Sequence, residues 1–350
     1  MSNKILFIAP SNSVHSHKWI NYFAKNTSLK LTWISFYPTD IGFRIGNNIQ
    51  YHDLSKNNIL SNFLFIRKLL KQENFSLIHL HYIGKFSHLL LLLRIKKLIV
   101  TPWGSDIKFL KNNSIKYFLT KKLLEKSSLI TVDANYMVDI INNISTKTKN
   151  IKRINFGTDT SFFLPNNQKK DQKFRIISLR NLEKIYSIDT LIEAANILKN
   201  TFQTEIIIDI YGDGKEKENL QNLINKLALN NFVFLKGRYK YDNLPEILNK
   251  YHIYVSTSTS DAGLAASTSE AMSCGIIPLV SDNSENSFWM SKNCGFLFKT
   301  FSHNELANKI IEIISLTEEQ KSIIQTNTRN KIIELNSFEN EMSKMYNSYK

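Results

Sequence analysis

DAGLAASTSEAMSCGIIPLVSD, residues 261–282, reads as a loop, a short helix and a strand, and its reading decides the fold. Ala265, Ala266, Ser267, Thr268 and Ser269 stand just before Glu270, where an ordinary core helix spends Leu or Ile. Cys274 and Gly275 then supply a helix stop, because glycine takes the left-handed terminal conformation without a Cβ penalty. The apolar run 277–281 follows as a strand, and IYVS at 253–256 precedes the loop as another. A helix linking two such strands is the crossover of a parallel sheet. The first N–H groups of that helix have no intrahelical acceptor and carry partial positive charge. Small side chains let a phosphate approach them. Glu270, a turn later, suits two vicinal hydroxyls of a ribose. The same residues also describe a plain helix packed tightly on its sheet, with Glu270 in water.

The alternation continues outward in both directions. Strands are predicted at 174–178, 205–211 and 232–236, with helices at 189–200, 215–229, 244–250, 264–273 and 304–314. Upstream, strands are predicted at 4–9, 29–36, 76–81, 98–103, 129–133 and 151–155, with helices such as 62–71 and 114–126 between them. The polar stretch PNNQKKDQK, 165–173, reads as a linker, and 318–350 is helical in pattern. The expectation is an α/β chain of two doubly wound, Rossmann-like domains with parallel sheets. They span 1–165 and 166–330, with a helix at 331–350 packing back towards the first. In such folds ligands lie beyond the carboxyl ends of the strands, and the main cleft is expected between the domains.

The chain has 350 residues, 43% of them hydrophobic, which is enough for two cores and excludes a disordered or fibrous protein. Its two cysteines, Cys274 and Cys294, form no CxxC or Cys/His ligand spacing, so a reducing cytoplasm is expected. No signal-peptide pattern is present, and the leucine run 89–93 is too short to span a bilayer. The net charge of +15 is one-sided: residues 1–165 hold 23 basic and 8 acidic side chains, and residues 166–350 hold 22 of each. A basic half points to an anionic partner surface. Nucleic acid is not expected, because the lysines are not interleaved with aromatics in any nucleic-acid-binding motif. In IKFLKNNSIKYFLTKKLLEK, 107–126, helical spacing puts Ile115, Phe118, Leu119 and Leu123 on one side, with Lys108, Lys111, Lys116, Lys121 and Lys122 around them. That pattern fits either an amphipathic core helix or a helix resting on an anionic bilayer.

SEAMSCGIIPLVSD resembles the donor-site signature of the family 4 retaining glycosyltransferases, which have the GT-B fold. HLHY (79–82), TPWGSDI (101–107), INFGTDTSFF (154–163), SLRNLEKIYSIDTLIEA (178–194), IYGDG (210–214) and FLKGRY (234–239) follow in the family's order. The resemblance spans most of the chain. It implies a nucleotide-sugar donor held by the second domain and an acceptor held by the first, with no metal and no other cofactor. It makes Glu270 the ribose contact, the second member of the family's Glu-x7-Glu pair. The first Glu is missing: Ala262 stands there, with Asp261 one residue earlier. Asp261 either takes over contacts to the donor sugar or the contact is lost. Trp103 stands where the family has a histidine, leaving Asp106 and His81 as candidates for its polar role, with His79 a core residue.

By the same resemblance Arg180 and Lys184 hold the diphosphate, Lys184 being one residue off the usual spacing; their cations would offset charge growing on the leaving group. Gly212 and Gly214 make a tight turn near the donor. Lys236 and Gly237 place backbone near the nucleobase, and Gly263, Ser267 and Thr268 border the phosphate. His15 and His17 stand where the family has a glycine-rich loop. Two apart, they face opposite ways on a strand, which argues against a shared metal; with Trp103 they are candidates for acceptor binding, or His15 for carrying a proton near neutral pH. The implied activity is metal-independent, retaining glycosyl transfer to a glycan or an undecaprenyl-linked or other lipid acceptor. The implied setting is surface polysaccharide or lipopolysaccharide assembly, by a cytoplasmic protein peripheral to the inner face of the membrane. A GT-B epimerase or hydrolase and an inactive glycan-binding relative are the alternatives.

Overall fold

The computed structural model describes residues 3–39, 44–148, 150–166, 173–201, 206–261 and 263–350. Ala262 and residues 167–172 of the expected linker lie outside them. The chain forms two compact units, Met1–Phe156 with Asn340–Lys350, and Gly157–Glu339. The division falls at Gly157, ahead of the polar stretch on which the sequence boundary of 165 was placed.

In the first unit seven parallel strands run in the order β3-β2-β1-β4-β5-β6-β7. They are β1 Lys4–Ile8, β2 Lys30–Ser35, β3 Ile49–Asp53, β4 Leu77–His81, β5 Leu98–Thr101, β6 Leu129–Val132 and β7 Ile151–Arg153. The sequence reading missed β3, whose IQYHD lies at the sheet edge with only Ile49 buried, so no apolar run marks it. Its helices are α1 Val14–Asn26, α2 Ile59–Gln72, α3 Ser105–Lys108, α4 Ile115–Lys126 and α5 Asn135–Ile144. Ser13, Asn58 and Ser114 cap α1, α2 and α4, each side chain accepting from a first-turn N–H. Ile66 and Leu69 of α2, Leu123 and Leu124 of α4 and Met137 and Ile141 of α5 share one core with the central strands, so these helices cover one face of the sheet.

The second unit has six parallel strands in the order β10-β9-β8-β11-β12-β13. They are β8 Phe174–Ser178, β9 Ile206–Tyr211, β10 Val233–Gly237, β11 Ile253–Ser256, β12 Ile277–Ser281 and β13 Phe296–Phe298. The three-residue β13 was also missed. Helices α6 Ile188–Thr201, α7 Lys217–Lys226, α8 Leu244–Leu248, α9 Ala266–Ser273, α10 Asn286–Met290 and α11 His303–Ser315 lie between and after the strands. α12, Glu318–Asn336, starts at a capping box: Thr317 accepts from Gln320 N–H at 3.2 Å and the Gln320 side chain accepts from Thr317 N–H at 2.9 Å.

The helical tail is two helices, not one. Ser337 is extended, Phe338 N–H donates to Thr158 O at 2.9 Å, and α13, Phe338–Tyr349, begins there. From Asn340 the tail belongs to the first unit rather than starting a separate segment at 331. Glu341, 1% exposed, accepts from Asn155 N–H at 2.7 Å. Tyr349 lies against Phe23 at 5.1 Å between ring centroids, and its hydroxyl meets His79 Nδ1 at 2.7 Å.

Candidate functional site

In the second unit the site collects beyond the carboxyl ends of β8, β9, β10 and β11. Arg180, two residues past β8, is buried and forms an ion pair with Asp261. Its guanidinium lies 4.4 Å from the centroid of the Tyr186 ring and within 3.4 Å of Ser267 Oγ. Burial alone would lower the Arg180 pKa; Asp261 and the neighbouring tyrosines outweigh it and raise the value, so the group stays a cation. Asp261 is therefore committed to Arg180 and also accepts from Ser258 Oγ at 3.2 Å. Both of these bonds fall on Oδ1, which clamps the arginine.

The start of α9 is open at Ala266, which is exposed, with Ala265 half-buried and no side-chain cap. Ser267 and Thr268 do not border that opening as the sequence suggested. Their side chains are buried, and their hydroxyls meet the Tyr254 hydroxyl at 2.8 and 3.4 Å. The alanines leave the helix end accessible, while the hydroxyl residues brace it from within. Glu270, 8% exposed, accepts from Tyr241 OH at 3.3 Å. Burial, and then the charge of Glu270, pushes Tyr239 up to about 12; the same two causes push Tyr241 higher still. Both phenols stay protonated and can donate. Tyr241 also stacks on Phe162 at 5.8 Å. Tyr186, Tyr241 and Tyr254 were missed as site residues. The signals for them were Tyr186 at a place where the family has Lys-Gly, Tyr241 just after FLKGRY, and Tyr254 on the strand that leads into the loop.

Gly212 and Gly214 serve the site indirectly. A Cβ at either would come inside 3.0 Å of backbone, Arg180 O and Leu182 O respectively, so these glycines let the β9 turn seat the segment that carries Arg180. Gly237 needs its φ of +70 but faces open space, and Lys236 is exposed. Gly263 has φ +83 and is buried. Lys184 is exposed on a turn at Lys184–Tyr186 and is not brought to Arg180 or Asp261 by any contact among the described residues. The intervening turn carries Tyr186, not Lys184, to the guanidinium.

In the first unit a separate cluster forms beyond β1, β4 and β5. His15 and His17 lie on α1, not on a strand. Half-buried His15 sits on Phe156 at 4.4 Å and meets Trp103 edge-on at 5.9 Å; burial, then Lys18, lowers its pKa to about 4. His17 turns inward, with Nε2 at 2.8 Å from Ser11 O. His81, expected to face the ligand, is 1% exposed and boxed by Trp19 at 4.7 Å and His79 at 4.2 Å. Burial, then His15, lowers its pKa to about 3, and neither ring nitrogen has a hydrogen-bond partner among the described residues. Half-buried Trp103 likewise has an unpartnered, buried Nε1. Asp106 is a clip, not a free acid: its carboxylate accepts from Ile83 N–H at 2.7 Å and Trp103 N–H at 2.9 Å, fixing the Trp103 backbone. Burial raises its pKa against the pull of those bonds.

Two family models match the chain: Glycosyl transferases group 1 over residues 159–330 and Glycosyl transferase 4-like over residues 4–134. The GtfA subunit of UDP-N-acetylglucosamine–peptide N-acetylglucosaminyltransferase from Streptococcus agalactiae is 28% identical over 174 residues, 49% of this chain and 31% of that protein. The chain spans between 17% and 64% of the length of the curated relatives it matches. Among solved structures, a glycosyltransferase from Rickettsia africae superposes with a TM-score of 0.82 at 19% identity, covering 99% of this chain and 97% of that one. HepE from Anabaena, solved with UDP and glucose, gives 0.77 at 14% identity, covering 98% of each. These structural likenesses bear on the fold.

Proposed function

Since the chain belongs to the group 1 and 4-like glycosyltransferases and has their GT-B fold, we propose that it transfers a sugar, with retention, from a nucleotide-sugar donor. The acceptor is a glycan or a lipid-linked, undecaprenyl-type saccharide, in surface polysaccharide or lipopolysaccharide assembly at the inner face of the cytoplasmic membrane. The observation that carries the reading is the buried Arg180–Asp261 pair set beside the open start of α9, one turn from Glu270. A guanidinium held in place and the N–H groups of a helix end make a preorganised anion seat. Glu270, oriented by Tyr241, is suited to the ribose hydroxyls. A relative that uses UDP-N-acetylglucosamine and a neighbour solved with UDP make uridine diphosphate sugars the first donors to try.

In the transfer the bond from the sugar's anomeric carbon to the β-phosphate oxygen breaks as the acceptor oxygen bonds to the same face. The acceptor's proton passes to the departing phosphate. Arg180 and the α9 N–H groups hold the charge that grows on the diphosphate, and no metal is required. Asp261 acts through Arg180 by fixing its fork. Acceptor recognition falls to the first unit, where half-buried Trp103 and His15 offer flat ring faces.

A thermal-shift screen of nucleoside diphosphates and their sugars tests this. At a concentration about a hundred times Kd a cognate donor adds about 2.7 kcal/mol of stability. The gain should vanish in Glu270→Ala and Arg180→Ala. Equal shifts in wild type and both variants would refute the placement of the site. Nucleoside diphosphate released only when acceptor is present identifies transfer. Release without acceptor, or an altered sugar still attached to nucleotide, would replace it with hydrolysis or epimerisation.

A further inference from the structure

α2, the turn at Ser87–Leu92 and α4 cover the same face of the first unit's sheet. Their outward surface is unusually apolar. Of the exposed large hydrophobic side chains described in this unit, every one except Val14 lies on this layer or on the loop leading into it. α4 shows how this arises, because it is apolar on two sides. Thr120, Leu123 and Leu124 are buried towards the sheet. Ile115 and Phe118 do not join Leu123 as the spacing suggested. With Lys122 they fall at i, i+3 and i+7, a separate stripe facing water, with Ile115 81% and Phe118 57% exposed. Phe109, just ahead of the helix, is 73% exposed.

The cations are interleaved with these side chains. Lys122 Nζ lies 5.6 Å from the Phe118 ring centroid and Lys108 Nζ 5.9 Å from that of Phe109. Lys111 and Lys116 are exposed beside them. Long ammonium stems next to flat apolar rings match a headgroup layer above acyl chains. The unit's charge agrees, with 25 basic and 8 acidic side chains against 20 and 22 in the other unit. We propose that the Phe109–Ile115–Phe118 surface docks on an anionic lipid leaflet, the rings entering the headgroup boundary and the lysines facing lipid phosphates. The inference rests on the membrane-face setting given above and on no part of the donor chemistry.

The test is co-sedimentation of the full chain with phosphatidylcholine vesicles, with and without phosphatidylglycerol. Binding should need the anionic lipid and fall as salt shortens the Debye length from about 10 Å at 0.1 M to about 3 Å at 1 M. Phe109→Ser/Ile115→Ser/Phe118→Ser should weaken it roughly tenfold or more. Lys111→Gln/Lys116→Gln/Lys122→Gln should weaken it about fivefold per lysine. All six side chains are exposed, so an unchanged melting temperature is expected and confirms folding. Three results would each overturn the proposal: equal binding to neutral vesicles, full binding by the serine variant, or a wild-type dimer that this variant makes monomeric while vesicles bind neither. Because no nucleotide sugar enters the assay, its failure leaves the donor site standing, and failure of the donor site leaves this result standing.

Discussion

At the carboxyl end of the first unit's sheet, beside the amide-clipped carboxylate of Asp106, imidazoles and an indole are sunk among aromatic rings: His81 between Trp19 and His79, and His15 on Phe156. At the same end of the second unit's sheet, the polar groups are a carboxylate, a guanidinium and hydroxyls that bond one another: Asp261, Arg180, Ser267, Tyr254 and Ser258. The two sheets are both doubly wound and parallel. The topology thus fixes where side chains gather and leaves their electrostatics open. One unit keeps its titratable rings neutral by desolvation; the other keeps a charge pair by mutual compensation. The difference has consequences that separate the units experimentally.

Acid separates them most. The unfolded chain's histidines protonate near 6.5, whereas burial holds His15 at about 4, His81 at about 3 and His79 well below its ordinary value. Between those limits the unfolded chain binds protons that the folded unit refuses. Stability is therefore complete above about pH 6.5 and drains away as the pH falls through 4 towards 3. At about 1.4 kcal/mol per unit of pKa difference, the loss reaches several kcal/mol. Urea unfolding followed by tryptophan fluorescence reads it, since Trp19, Trp33 and Trp103 lie in the first unit and Trp289 in the second. The first unit's transition should shift to lower urea between pH 7 and pH 4, and His81→Phe should shrink that shift. A transition that stays put would show that these rings protonate freely.

Backbone space gives the next test, between two glycines of the second unit. Gly212 and Gly237 both have positive φ, at +145 and +70, but only Gly212 has backbone of the Arg180 segment against its missing Cβ. Gly212→Ala should cost about 3 kcal/mol and abolish donor-induced stabilisation, because Arg180 is displaced. Gly237→Ala pays mainly the left-handed conformation, about 1 kcal/mol, and should keep that stabilisation. Equal losses of donor response would mean that Gly212 does not position Arg180.

This pair also shows where the sequence was legible. Central strands and long amphipathic helices were visible because burial on both faces of a strand writes a solid apolar run, as in KILFI and IPLVS. β3 and β13 were not, because an edge strand and a three-residue strand write no such run. Glu270 and Arg180 stood out by residue type and order. Which way a side chain turns was not written locally. Ser267 and Thr268 point inward because Tyr254 offers them a hydroxyl from the neighbouring strand, and Asp106 is occupied by the amide of Ile83, 23 residues away, as well as that of nearby Trp103. His81 is sealed by Trp19, whose approach depends on α1 lying across the strand ends. Partners so far apart in sequence leave no mark in local spacing.

The smallest test concerns the tail. Residues 340–350 are tied to the first unit by Glu341 on Asn155 N–H, the Tyr349 hydroxyl on His79 and Lys97 Nζ on the Ser348 and Tyr349 carbonyls. Tyr349→Phe keeps the ring against Phe23 and removes only the hydroxyl, leaving His79 with Thr101 Oγ1 at 2.7 Å on its other nitrogen. Losing one buried hydrogen bond while the ring stays costs about 1 kcal/mol. The cost should appear in the transition reported by Trp19, Trp33 and Trp103 and leave the Trp289 signal in place. If the Trp289 transition moved instead, the tail's energetic allegiance would lie with the second unit. The contrast between an aromatic and a charge-paired unit would then stop at Phe156, with the last helix outside it.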